Sequence, residues 1–155
     1  MGVSLANPKQ WVTPGTPEIQ WLAAELGSPQ AIYEFMANVR YVPGFRMQKP
    51  LETLNSLEGD CDDQACLLAS LLRSIGEKAY VRVAEIPGSP FLHAWVVWFD
   101  VAWGVWRNLD PSGTVEFTDL GYGDMGGVNI RQLVDFNDEE IFDYGGLNSI
   151  ASVFS

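Results

Sequence analysis

Cys61, His93 and Asp110 are the side chains whose types, order and settings fit nucleophilic acyl chemistry. Cys61 lies in Gly59-Asp60-Cys61-Asp62-Asp63, directly ahead of an apolar run of helical period. His93, the sole histidine of the sequence, sits inside the strand-like run from Phe91 to Val97. Asp110 closes the next such run, from Trp106 to Pro111. A thiol at a helix start, an imidazole on one strand and a carboxylate on the next are the parts of a Cys-His-Asp site. With a single histidine, the general base is His93 or it is no histidine.

The electrostatics of the cysteine are divided. A helix N-terminus favours a thiolate through the macrodipole, and a protonated imidazole beside it favours it further. Three carboxylates, Asp60, Asp62 and Asp63, oppose it, because like charges raise a thiol pKa. One resolution is that they cap the helix and point away from the sulfur, Asp60 as N-cap and Asp63 as its capping-box partner. The other is a bound cation. The Cys61 N–H is the natural oxyanion donor, since helix N-termini leave such groups unpaired. A second donor is expected from the loop between Tyr41 and Asn55, with Gln48 as the candidate.

Each piece has a plainer reading. A buried cysteine is commonly inert packing, and a lone strand histidine a satisfied core residue. Cys66, five residues after Cys61, is read as structural, and the spacing puts the two thiols beyond disulfide reach on one helix. The convergence of three such residues on elements that can meet favours an active site over coincidence. Trp95 and Trp103 are the candidates for substrate contact, Trp103 because it stands in a turn; the competing role for tryptophan is core filling.

The 155 residues suit one domain, with a core over about residues 28–118 and an acidic, Gly-rich extension over about 119–155. At 47% hydrophobic and 12% aromatic the composition is globular. The net charge of −11 excludes nucleic acid as an expected partner, since backbone binding needs clustered lysine and arginine. No run approaches the ~20 apolar residues that cross a bilayer, so no membrane role is expected. Met1 to Gln10 has one lysine and no apolar core, so no secretory leader is expected and the location is read as cytoplasmic or virion-associated.

Thr16-Pro17-Glu18 and Ser28-Pro29 each read as a helix start, the first helix ending at Gly27 and the second near Arg40. Asp60 opens a third, on which Cys61, Ala65, Leu68, Leu72 and Ile75 share a stripe that Gly76 ends. Beyond Lys78 the period becomes two, predicting strands over 79–86, 91–99, 105–109 and 114–117, joined by short turns as an antiparallel meander. His93 shares a strand face with Trp95 and Val97, and both faces are apolar, so this strand is expected to be central. A short helix is predicted over 130–136, and the acids of this tail, Asp135, Asp138, Glu139, Glu140 and Asp143, read as a solvated face.

Gly59-Asp60-Cys61-Asp62-Asp63, the helix to Gly76, the strand with His93-Ala94-Trp95, and Trp106 through Asp110-Pro111 resemble the transglutaminase-like superfamily, in its compact bacterial and phage forms. The resemblance implies an α+β, papain-like fold, the cysteine helix packed on an antiparallel sheet. It implies acyl transfer through a thioester, with a peptide or protein as substrate, and hydrolysis is favoured over cross-linking. Some bacterial cysteine peptidases of this type carry calcium on acids flanking the cysteine; carried over, Asp60, Asp62 and Asp63 become Ca²⁺ ligands, although no cofactor is required. The alternative is a non-catalytic module that keeps the fold, such as a phage virion component docked through its termini.

Overall fold

The computed structural model describes residues 7–44, 46–86, 92–112 and 130–154. Helix α1 (Pro17–Leu26) ends at Gly27, whose φ of 78° is the left-handed C-cap that glycine adopts without strain. Helix α2 (Pro29–Phe35) begins where the Ser28 hydroxyl accepts the Ala31 amide at 3.2 Å, and a 3₁₀ turn carries it to Asn38. Strand β1 (Arg40–Tyr41) pairs in parallel with β2 (Glu58–Gly59), and α3 (Pro50–Ser56) lies between them. This ribbon and α3 were not expected from the sequence. Their effect is to tie the chain on both sides of the loop immediately before the cysteine.

Helix α4 (Cys61–Ser74) forms the centre of the molecule, buried from Asp63 to Leu72. Strands β3 (Ala79–Glu85), β4 (Leu92–Asp100) and β5 (Val105–Leu109) follow as the expected meander. The predicted 114–117 strand and the 87–90 turn lie outside the described residues, as do residues 1–6 and 155, the expected docking ends. The predicted helix over 130–136 is instead strand β6 (Arg131–Phe136), which pairs antiparallel with β3 and is followed by β7 (Ile141–Asp143). The sheet order is β5-β4-β3-β6-β7, so β4 and β3 are interior strands. Ile150 and Phe154 also join the core. The packed core therefore continues well beyond residue 118.

Two apolar clusters separate the faces of the sheet. Ala79, Val81, Val83, Ala94, Val96 and Leu109 pack with α1 and α4 residues such as Ile19, Leu68 and Leu72. Tyr80, Ala84, Trp95 and Val97 form the second cluster on the other parity. Acids expected as a solvated face are in fact engaged. Asp135 is fully buried against Arg82, and Arg73 pairs with Asp138 at 2.8 Å. Among the described residues no helix is long and apolar enough to cross a membrane.

Candidate active site

The start of α4 is built by reciprocal capping. The Asp60 side chain accepts the Asp63 amide at 3.2 Å, and the Asp63 carboxylate accepts the Asp60 amide at 3.1 Å. Asp63 also accepts the backbone amide of Gln48 at 2.9 Å and its side-chain amide at 3.2 Å. Buried behind three N–H donors, Asp63 is a structural anchor for the preceding loop. Gln48, the candidate oxyanion donor, spends its side-chain hydrogens on Asp63 and on the Glu58 carbonyl at 2.9 Å.

Gly59 has a steric reason to be glycine. A Cβ there would stand 2.6 Å from the Cβ of Asp63. Gly59→Ala should therefore destabilise the protein by about 1–3 kcal/mol, the usual range for overpacking, as read from chemical denaturation. An unchanged midpoint would mean that the cap is free to move.

Asp62 does the opposite of pointing away. Its Oδ1 lies 3.8 Å from the Cys61 sulfur and accepts the thiol proton. Of the two opposed influences on the thiol, the one that raises its pKa prevails. Burial first, then the Asp62 charge, push Cys61 up to about 12, with Asp60 and Asp110 adding to the rise. The Ala94 backbone amide works against them. The macrodipole, worth about 0.3–1 kcal/mol at an ordinary helix end, is outweighed. At rest the group is a thiol.

The acids carry the same strain. Burial, then Asp62 and Asp63, raise Asp60 to about 7, and burial followed by Asp63 raises Asp62 to about 6. Both start from 3.8, so the folded state holds protons that the unfolded chain releases. Their contribution to stability is complete below the unfolded value and is lost as pH rises through about 6 and then about 7. Melting temperature in metal-free buffer should fall between about pH 4 and 7, at about 2–4 °C per kcal/mol lost for a chain of this size. Asp62→Asn should flatten that slope; a slope unchanged by it would assign the pH dependence elsewhere.

His93 and Asp110 meet. The imidazole Nε2 lies 2.7 Å from Asp110 Oδ2, in a site where His93 is 7% and Asp110 3% exposed. An acceptor carboxylate there places a ring proton on Nε2 and leaves Nδ1 as the other nitrogen. The remaining oxygen of Asp110 accepts the Ser112 hydroxyl at 2.7 Å and its amide at 3.0 Å, the local geometry of an Asp-Pro-Ser turn. The Tyr33 hydroxyl donates to the Asp110 carbonyl at 3.3 Å.

The approach of α4 differs from the simple expectation of contact across the helix–sheet interface. The helix covers the parity of Ala94 and Val96, whereas His93 belongs to the parity of Trp95 and Val97. The part of β4 that acts on the sulfur is the backbone amide of Ala94, the residue after His93. The fields of the groups overlap as well. Asp62 is acted on by His93, Cys61 by Asp110, and the Tyr41 phenol by Cys61, Asp60, Asp62 and Asp110.

The tryptophan candidates separate. Trp103 is 76% exposed, as a turn residue should be, but it stands at the far end of the β4–β5 hairpin. His93 to Asp100 is about 23 Å of extended strand, so Trp103 does not border the cysteine. Trp95 is fully buried, which gives a substrate no surface to touch. Its ring stacks on His93 with centroids 5.6 Å apart and planes at 21°, and its indole N–H donates to Asn108 Oδ1 at 3.0 Å. Tyr33 and Tyr41 were missed from sequence because no local pattern announces a long-range contact. Ser112 was legible in principle, as the hydroxyl of an Asp-Pro-Ser turn.

Both cysteines are free, and Cys66 is fully buried. Among the described residues no group of three His, Cys, Asp or Glu side chains is arranged to hold a metal.

Comparison with known proteins adds the wider setting. A family model described as the transglutaminase-like superfamily matches residues 16–111, well over half of the chain. Legionella pneumophila LapG is similar in structure, with a TM-score of 0.64 at 15% identity over 90% of this chain and 92% of that one. Its calcium-bound form gives a TM-score of 0.62 at 14% identity, covering 86% and 85% of the two chains. A candidate cysteine protease from Cytophaga hutchinsonii gives 0.57 at 20% identity, over 91% of this chain and 59% of the other. At such identities the likeness is one of fold. No curated protein matches the chain in sequence.

Proposed function

This chain belongs to the transglutaminase-like superfamily, and from that premise we propose that it is a thiol-dependent acyl-transfer enzyme, a cysteine peptidase or amidase acting on peptide or protein substrates. The observation that carries the reading is the His93–Asp110 pair at 2.7 Å, with the Cys61 thiol within the influence of Asp110 and of the backbone of Ala94, the residue after the histidine. Cys61 is the nucleophile, His93 the acid–base and Asp110 its orienting partner.

Because the resting group is a thiol, the base has real work. His93 Nδ1 takes the S–H proton as sulfur attacks the carbonyl carbon, and the Cys61 N–H faces the developing oxyanion. The proton then passes to the departing amine, the C–N bond breaks, and a thioester remains. Water, losing a proton to His93, attacks the thioester, and sulfur leaves with that proton to restore the thiol. An amine in place of water would make the reaction a transamidation.

Asp60 and Asp62 are the pair to which Ca²⁺ would go. Their donors are hard oxygens, and their mutual repulsion is the kind a cation relieves. Asp63 does not fit that role, since its oxygens are taken by N–H donors, so backbone carbonyls or water would complete the shell. The ion would supply positive charge that stabilises a nearby thiolate. Calcium should raise the melting temperature over EDTA at neutral pH, by about 2.7 kcal/mol of stability at a hundredfold excess over Kd. The increment should vanish in Asp62→Asn. Equal melting in calcium and EDTA would remove the ion from the proposal.

The pKa of about 12 also supports a second reading, a silent thiol in a non-catalytic module. Iodoacetamide near neutral pH separates the two. Catalysis requires Cys61 to label much faster than the buried Cys66, and His93→Ala to abolish the difference. Slow and equal labelling in the native protein would favour the module.

A further inference from the structure

We propose that Trp95, anchored by Asn108, is the positioning residue that holds the His93 imidazole in the orientation from which it serves Cys61. The inference rests on the acyl-transfer reading above. Residues two apart on a strand share a face, so His93 and Trp95 are neighbours by construction. Their rings lie nearly parallel, at 21° and 5.6 Å between centroids.

The bond to Asp110 fixes one ring nitrogen but leaves the ring free to rock about that contact. The indole face removes the second freedom. Trp95 is itself immobilised, since it has no exposed surface and its N–H donates to Asn108 Oδ1 at 3.0 Å. Asn108 lies on β5 in register with Val97, on the same face of the sheet. A buried amide on an interior-facing strand position carries a desolvation cost that an aliphatic residue would avoid. Supplying the acceptor that a buried indole needs accounts for it. Ring position matters because a misplacement of about 1 Å can cost on the order of 100-fold in rate.

The sequence supplies an unambiguous probe, since its single histidine gives one imidazole Cε1–H signal in the 155-residue chain. In the native protein that signal should be one line, displaced by the ring current of the indole. In Trp95→Leu the displacement should disappear and the line broaden or split. The His93-dependent part of Cys61 alkylation by iodoacetamide should fall about 10–100-fold. Trp95→Phe, which keeps a ring face, should restore most of the rate. Asn108→Ala, which frees the indole without removing it, should fall between them and serves if Trp95→Leu does not fold.

A folded Trp95→Leu, or Asn108→Ala in its place, with a sharp, native-like His93 signal and undiminished alkylation overturns the proposal. If alkylation of the native protein proves indifferent to His93→Ala, the acyl-transfer reading fails by itself. The imidazole signal then decides alone whether Trp95 orders the ring, with a native line in the variant counting against it.

Discussion

His93→Ala should slow acylation of Cys61 by an activity-based acyl probe by about 100- to 10,000-fold, the range that positioned acid–base groups supply. The size follows from the state of the sulfur. Burial and the Asp62 charge hold the thiol at about 12, so near neutral pH the free thiolate is a trace species. A cysteine in that condition depends on proton transfer to a partner more than one already ionised. Asp110→Asn should give a smaller loss, because the ring keeps its place but loses the acceptor at 2.7 Å that fixes its tautomer. Cys61→Ala should leave no acylation at all. The reading would not survive a His93→Ala protein that is folded, by circular dichroism and melting, and acylates at the native rate.

Asp135→Ala should be the most destabilising single change, at about 3–5 kcal/mol in a denaturant titration. Arg82 on β3 and Asp135 on β6 are both fully buried and form a two-pronged pair, Nε to Oδ1 and Nη2 to Oδ2, each at 2.9 Å. Gln132 donates a further bond to Oδ2 at 2.9 Å. Removing the carboxylate takes the two-pronged Asp135 counter-charge away from a fully buried guanidinium. Against a typical total of about 5–15 kcal/mol, that is a large share. The paired replacement Arg82→Met with Asp135→Leu should recover most of the loss, since an apolar pair can stand in for a buried ion pair. A cost below about 1 kcal/mol for Asp135→Ala would show that water reaches the guanidinium.

Local patterns in the chain were enough to specify α1, α2 and α4, because proline, glycine and capping residues mark their ends within a few positions. Period-two alternation likewise specified β3, β4 and β5. Strand β6 was read as a helix for a physical reason. Leu133, Val134, Asp135 and Phe136 are all buried, so no alternation survives to reveal the strand. Asp135 looks like a surface acid until Arg82, 53 positions earlier, is placed beside it.

Cys61, His93 and Asp110 were likewise legible as candidates, from residue type, order and the uniqueness of the histidine, and two of them, His93 and Asp110, lie 2.7 Å apart. Their electrostatic condition was not. The helix terminus argued for a lowered thiol pKa and the three flanking carboxylates for a raised one, and burial with the inward turn of Asp62 decides for the rise. The burial of Trp95, the distance of Trp103 from the cysteine and the occupation of Gln48 by Asp63 were equally out of reach. Short-range preferences are written in neighbouring residues, so sequence alone determined α1, α2, α4, the meander and the candidate reactive groups. Desolvation and charge–charge coupling depend on which distant segments close around a group, and the tertiary structure alone decided those.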